Sequence, residues 1–139
     1  MKSSRKKETE TYVYFNCNPF GRITGDCCNR ALSLFLNIDY SESVMDLAKY
    51  QCETGYVPCN GKDFEKYFLT KGLKKQSMPR HSSNKRYTVD EFCKKIAVSG
   101  KRYFVLVANH AICIKDKKVH DTWDSTRKYC GNYWVIDEK

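Results

Sequence analysis

"TGDCCNRALSLFL", residues 24–36, sets two adjacent cysteines at the mouth of an apolar helical run. Thr24 or Asp26 can cap that helix, and Ala31, Leu32, Leu34, Phe35 and Leu36 make it apolar enough to be central and buried. Two thiols in such a place can be core residues, metal ligands, half of a disulfide or a nucleophile. A cysteine in the first turn feels the positive end of the helix dipole, which favours its thiolate. The unpaired N–H groups of that turn can also donate to an oxyanion. Cys27 precedes the helical run and is favoured as the nucleophile, while Cys28, its first clear member, points into the core or a subsite.

Working outward, residues 1–10 read as a charged tail and residues 11–139 as one domain. "TYVYF" (11–15) alternates like a short strand, and "NCNPFGRITGD" (16–26) is a loop. Downstream of the Cys27 helix, "YSESVMDLAKYQCETG" predicts a second helix with Ser41 as N-cap and Val44, Leu47 and Ala48 toward the core. "CNGKDFEKYFLTKG" predicts a third, with Phe64, Tyr67 and Phe68 on one face and Gly72 as its stop. "YTVDEFCKKIA" predicts a fourth, opened by a Thr88–Glu91 capping box. After Gly100 the pattern becomes extended: "RYFVLVANHAICIKD", then "KKVHDTW" beyond a turn at Asp116–Lys117, then "GNYWVI". Helices first and an antiparallel sheet last make an α+β chain.

Composition narrows the chemistry. The chain has 139 residues, 41% hydrophobic and 14% aromatic, as a globular protein does. It contains no run near the roughly eighteen apolar residues of a membrane span. "MKSSRKKETETY" opens on Met1 and lacks the apolar region of a secretory signal, which predicts a full-length cytoplasmic protein. In that compartment eight cysteines (17, 27, 28, 52, 59, 93, 113 and 130) are expected as free, metal-bound or catalytic thiols rather than paired ones. No CxxC and no zinc-finger spacing occurs, so no metal and no cofactor is expected. The net charge of +9 invites a nucleic-acid reading. The basic residues are scattered, however, and a solvated surface is the favoured explanation.

A thiol nucleophile needs a base. Of the three histidines, His81 lies in a polar connection and is expected to be exposed, and His120 lies in a charged strand. His110 sits in "VLVANHAICI", where the plain alternative is a half-buried histidine satisfied by backbone. The base in turn needs an acceptor that fixes its tautomer. A hairpin turning at Asp116–Lys117 brings residues 121–124 opposite His110, so Asp121 or Asp124 can reach it.

The order of these parts resembles that of papain-like cysteine peptidases: a Cys opening a central helix, "NHA" on a strand, and "DTW" (121–123) where papain has Asn-Ser-Trp. It is closer still to small papain-like proteins of bacteriophages and Gram-positive bacteria. Those carry NP-x-G-x-x-TGDC-x-x-RA and NH-x-x-x-x-x-D-x-x-x-x-DTWD, which here read "NPFGRITGDCCNRA" (18–31) and "NHAICIKDKKVHDTWD" (109–124). The similarity spans roughly residues 12–136 and implies a papain-like fold with a Cys27–His110–Asp121 triad. Trp123 would shield the His110–Asp121 bond or serve as a core aromatic. Gly21 stands where papain has its oxyanion-hole glutamine, so Asn16, Asn18, Thr24 or a second backbone amide would have to donate instead.

The resemblance implies acyl transfer from a protein or peptide substrate, as a cysteine peptidase or isopeptidase. The same triad serves transglutaminases, deamidases and amine acyltransferases. A third reading is a non-catalytic interaction protein on this scaffold, such as a phage factor that binds a host protein.

Overall fold

The computed structural model describes residues 8–58 and 61–138. Most of the charged tail, the start of the third helical segment at Cys59–Asn60 and the last residue lie outside them. The elements run β1 (Tyr12–Tyr14), α1 (Cys27–Leu36), α2 (Tyr40–Thr54), α3 (Gly61–Leu69), α4 (Val89–Lys95), β2 (Lys101–Val107), β3 (His110–Lys115), β4 (Lys118–Asp121) and β5 (Tyr133–Asp137). The strands form one sheet in the order β1-β4-β3-β2-β5. The fold is α+β, with four helices preceding most of the sheet.

Alternation along the two central strands decides the layering. Tyr103, Val105 and Val107 of β2 and Ile112 and Ile114 of β3 pack with Val89, Phe92 and Cys93 of α4. Phe104 of β2 and Ala111 and Cys113 of β3 pack with Leu32 and Phe35 of α1 and Phe64 and Phe68 of α3. Both faces of the sheet are therefore covered, and β2 and β3 read as unbroken apolar runs because neither face meets water.

The helix ends follow local chemistry. Asn37 terminates α1 in the left-handed region at φ 57°, and the N–H of Ile38 returns to the Ser33 carbonyl at 3.0 Å. Gly55 closes α2 at φ 80°. Thr88 and Glu91 form the expected capping box on α4.

Several expectations are corrected. The N-cap of α2 is Asp39, whose carboxylate and Glu42 form a capping box, and not Ser41. Val44 and Ala48 are exposed, and the apolar side chains that α2 packs against the core are the partly buried Leu47 and Tyr50. The sheet is not wholly antiparallel, because β1 joins β4 in parallel (Val13 beside His120). The segment 102–116 is two strands, divided at Ala108–Asn109, with Asn109 at φ 56°. His81 is half-buried, paired with Glu91 at 3.1 Å and stacked on Tyr87 at 4.0 Å between ring centroids.

Candidate active site

Three elements deliver the three expected residues to one place. Cys27 is the first residue of α1, His110 the first of β3 and Asp121 the last of β4. The β3–β4 register pairs Cys113 with His120. Extended by three residues, it sets Trp123 opposite His110 and Asp121 on the diagonal. The His110 Nε2–H donates to Asp121 Oδ2 at 2.6 Å, and this choice leaves Nδ1 for the Cys27 thiol. The Trp123 ring lies beside the imidazole, 4.8 Å between centroids and tilted by 37°, and the His110 side chain is 8% exposed.

Electrostatics sharpen the pair. The Cys27 thiol is held well below its ordinary range, first by a hydrogen bond from the Cys28 thiol, then by His110 and the backbone of Ala111, against the opposing effect of burial. Burial favours the neutral form of His110, but the Asp121 carboxylate and the Cys27 sulfur outweigh it and raise its pKa above the ordinary histidine value. A thiolate–imidazolium pair is the resulting resting state. The other histidine near Asp121 behaves differently. Burial and the nearby Lys115 lower His120 to about 4, so it is neutral at pH 7 and cannot replace His110.

Asp121 is 1% exposed, and all its bonds are made inside the protein. Oδ1 accepts from Arg30 Nη1 at 3.0 Å and from the Thr122 N–H at 2.7 Å. Oδ2 accepts from His110 and from the Ser125 hydroxyl at 3.1 Å. Arg30, itself 5% exposed, also donates through Nε to Asp26 Oδ1 at 2.8 Å. The second oxygen of Asp26 takes the Tyr40 hydroxyl at 2.6 Å and Asn18 Nδ2 at 3.2 Å. Arg30 is a fixed position of the TGDC-x-x-RA pattern to which the sequence attaches no role, and Ser125 lies outside both motifs. The available signal was a cation on the apolar face of a helix read as buried, which demands acidic partners, one of them four residues earlier.

The remaining candidates separate. Cys28 lines the same cavity as Cys27, together with Leu106, Asn109, His110 and Ala111, and that cavity measures about 470 Å³. Asp26 occupies the N-cap position of α1 but its side chain caps nothing, being committed to Arg30. Asp124 does not join His110; its Oδ1 accepts from the Thr126 N–H at 3.0 Å and closes a local turn. Asn16 donates to the Arg22 carbonyl at 3.0 Å and Asn18 to Asp26, so both amides are engaged within the 16–26 loop and its anchor. Thr24 lies beside Phe20, Tyr40 and Val44 on a separate groove. Cys27 itself opens α1, and the first N–H groups of a helix have no partner within it.

No family model, curated protein or solved structure matches this chain.

The site's identity therefore rests on its geometry. A larger depression of about 560 Å³ lies beside α2, lined by Leu36, Met45, Asp46, Lys49 and Lys71, and brings no nucleophile to a base. Among the described residues no three His, Cys, Asp or Glu side chains are grouped to hold a metal ion, and no helix is long and apolar enough to cross a membrane. None of the seven described cysteines is in a disulfide; Cys93, Cys113 and Cys130 are buried, and burial raises the pKa of each.

Proposed function

We propose that the protein is a papain-like thiol hydrolase of a reducing, intracellular compartment, acting on a protein or peptide amide. The observation that carries this reading is the placement of His110 between a helix-start thiol and a buried, fully bonded carboxylate. The Cys27 thiolate attacks the substrate carbonyl, and the charge that develops on oxygen is received by the N–H groups at the start of α1. The C–N bond then breaks, and His110 gives its proton to the departing amine. A water delivers a hydroxyl to the thioester, its proton returns to His110, and Cys27 leaves as thiolate. Replacing that water with an amine gives acyl transfer, and a side-chain amide as substrate gives deamidation.

A second reading has its own observation. Phe20 (83% exposed), Ile23, Val44 and Met45 (68% exposed) expose large apolar side chains along or beside the groove between the 16–26 loop and α2. Such a patch favours a role in binding another protein, alone or alongside catalysis.

Intact-mass analysis during incubation with a library of fluorogenic peptide amides tests the proposal. The expected result is an acyl adduct on Cys27 with stoichiometric release of the amine, absent in Cys27→Ala and strongly reduced in His110→Ala. No adduct with any acyl donor, including small activated thioesters, contradicts the hydrolase reading and leaves the binding role.

A further inference from the structure

The buried bonds around Asp121 form a chain of alternating charge: Asp26, Arg30, Asp121, His110. We propose that Arg30 is a positioning residue of this site, a standing cation shared by Asp26 and Asp121 that lets His110 release its proton without leaving Asp121 with no cationic partner. This assignment rests on the reading of Cys27 and His110 as an acyl-transfer pair.

The requirement comes from the cycle itself. His110 is cationic when paired with the thiolate and neutral after it has protonated a leaving amine. If the imidazolium were Asp121's only counter-charge, each proton release would strand a carboxylate in a site that is 1% exposed. The imidazolium would then hold its proton too tightly to act as an acid. The hydroxyl of Ser125 and the N–H of Thr122 bond Asp121 but carry no net charge. A guanidinium keeps its charge at every pH at which the protein works, and Arg30 Nη1 sits 3.0 Å from Asp121 Oδ1.

Arg30 is also prevented from swinging away. Its Nε is tied to Asp26 at 2.8 Å, one helical turn earlier, and Asp26 is clamped by Tyr40 and Asn18. A residue needed only to stitch the loop to α1 would require Asp26 alone. The second bond, from Nη1 to the carboxylate that holds the histidine, is what a counter-ion of the site requires.

The groups facing this pair come from every neighbouring element. Cys27 and Arg30 face it from α1, and Tyr12 of β1 donates its hydroxyl to the Asp121 carbonyl at 3.3 Å. Asp124 follows β4, and His120 on β4 is neutral at pH 7.

The test is a titration of His110 by NMR of its ring protons, assigned by loss of the signal in His110→Gln. It is made in the full chain carrying Cys27→Ser, so that the thiolate does not contribute. Asp121→Asn should move the His110 midpoint down by about one unit or more, because the ring loses its anion. Arg30→Gln should move it up by about the same amount, because the ring becomes the only cation beside Asp121. Arg30→Lys should leave it within about half a unit of the parent, since the charge is restored. A purely structural Arg30 makes a different prediction: loosening the site weakens the His110–Asp121 bond, and the midpoint falls as in Asp121→Asn. A fall or no change in Arg30→Gln overturns the proposal. Should Arg30→Gln not fold, a fall of about a unit in Arg30→Lys overturns it as well. Opposite-signed shifts with no acyl adduct on wild-type Cys27 contradict the hydrolase reading alone, and acyl adducts with a downward Arg30→Gln shift contradict this assignment alone.

Discussion

At the scale of single residues, Cys27 and His110 hold their charges by opposing shifts. The thiol ionises below its ordinary range and the imidazolium keeps its proton above its own. Turnover, measured as kcat/KM against pH, should rise on the acid side as Cys27 ionises, stay level through neutral pH and fall on the alkaline side as His110 is deprotonated. Asp121→Asn removes the negative charge that raises His110, although its amide oxygen can still accept the ring N–H, so the alkaline limb moves to lower pH. Turnover above that limb should fall with it, and the paired pH profiles check both effects. That Cys27, His110 and Asp121 lie together was legible in the sequence from the helix start, the hairpin turn and the resemblance, although His110 opens β3 and does not sit inside one long strand. The oxyanion candidates were not. Asn16 and Asn18 are spent on bonds within an irregular loop and its anchor, and periodicity says nothing about where a loop amide points.

At the scale of elements, two backbone positions carry sharp expectations. Gly131 approaches β2 so closely that its N–H meets the Leu106 carbonyl at 2.6 Å, and a Cβ there would lie 2.9 Å from the same oxygen. Gly131→Ala must push the β5 approach off β2 beside the cavity wall at Leu106. It should cost about 1–3 kcal/mol in urea unfolding, the usual range for overpacking. The β3–β4 turn holds Asp116 at φ 54° and Lys117 at φ 62°, both in the left-handed region that side chains disfavour. Lys117→Gly should therefore raise stability by up to about 1 kcal/mol in the same assay. This turn is also why the hairpin register could be read in advance: it fixes which residues oppose each other, and only Asp124 had to be removed from the list. The three-residue β1 gave no such information. Alternation marks "YVY" as extended, but nothing in so short a run says that its partner is β4 or that the pairing is parallel.

At the scale of the whole molecule, the sheet is the platform, with one apolar layer packed on each of its faces. Phe64, Phe68, Phe104 and Trp134 form one aromatic cluster beneath α1, with Phe64 and Phe104 centroids 4.9 Å apart. Phe64→Ala should cost about 3–5 kcal/mol, read as a shift in the denaturation midpoint. Trp134 is fully buried, and its indole N–H has no hydrogen-bond partner among the described residues. Trp134→Phe leaves a cavity but removes that unpaired donor, so it should be far milder, within about 1.5 kcal/mol of wild type. Helix-then-sheet order made the α+β class legible. The three-layer arrangement was not, because α2 carries Val44, Leu47 and Ala48 at helical spacing like a core helix yet packs at the periphery. Apolar spacing reports which residues share a face, not whether another element covers it.

The central claim is that His110 primes Cys27. The most direct measurement is the alkylation rate of each cysteine against pH, read by peptide mass spectrometry in wild type and in His110→Ala. Cys27 should react fastest, with an apparent pKa well below the roughly 8.5 of a free thiol, and His110→Ala should return it toward that value and slow it at neutral pH. If Cys27 reacts no faster than exposed Cys52 and is indifferent to His110→Ala, the pair is not assembled in solution and the claim is contradicted.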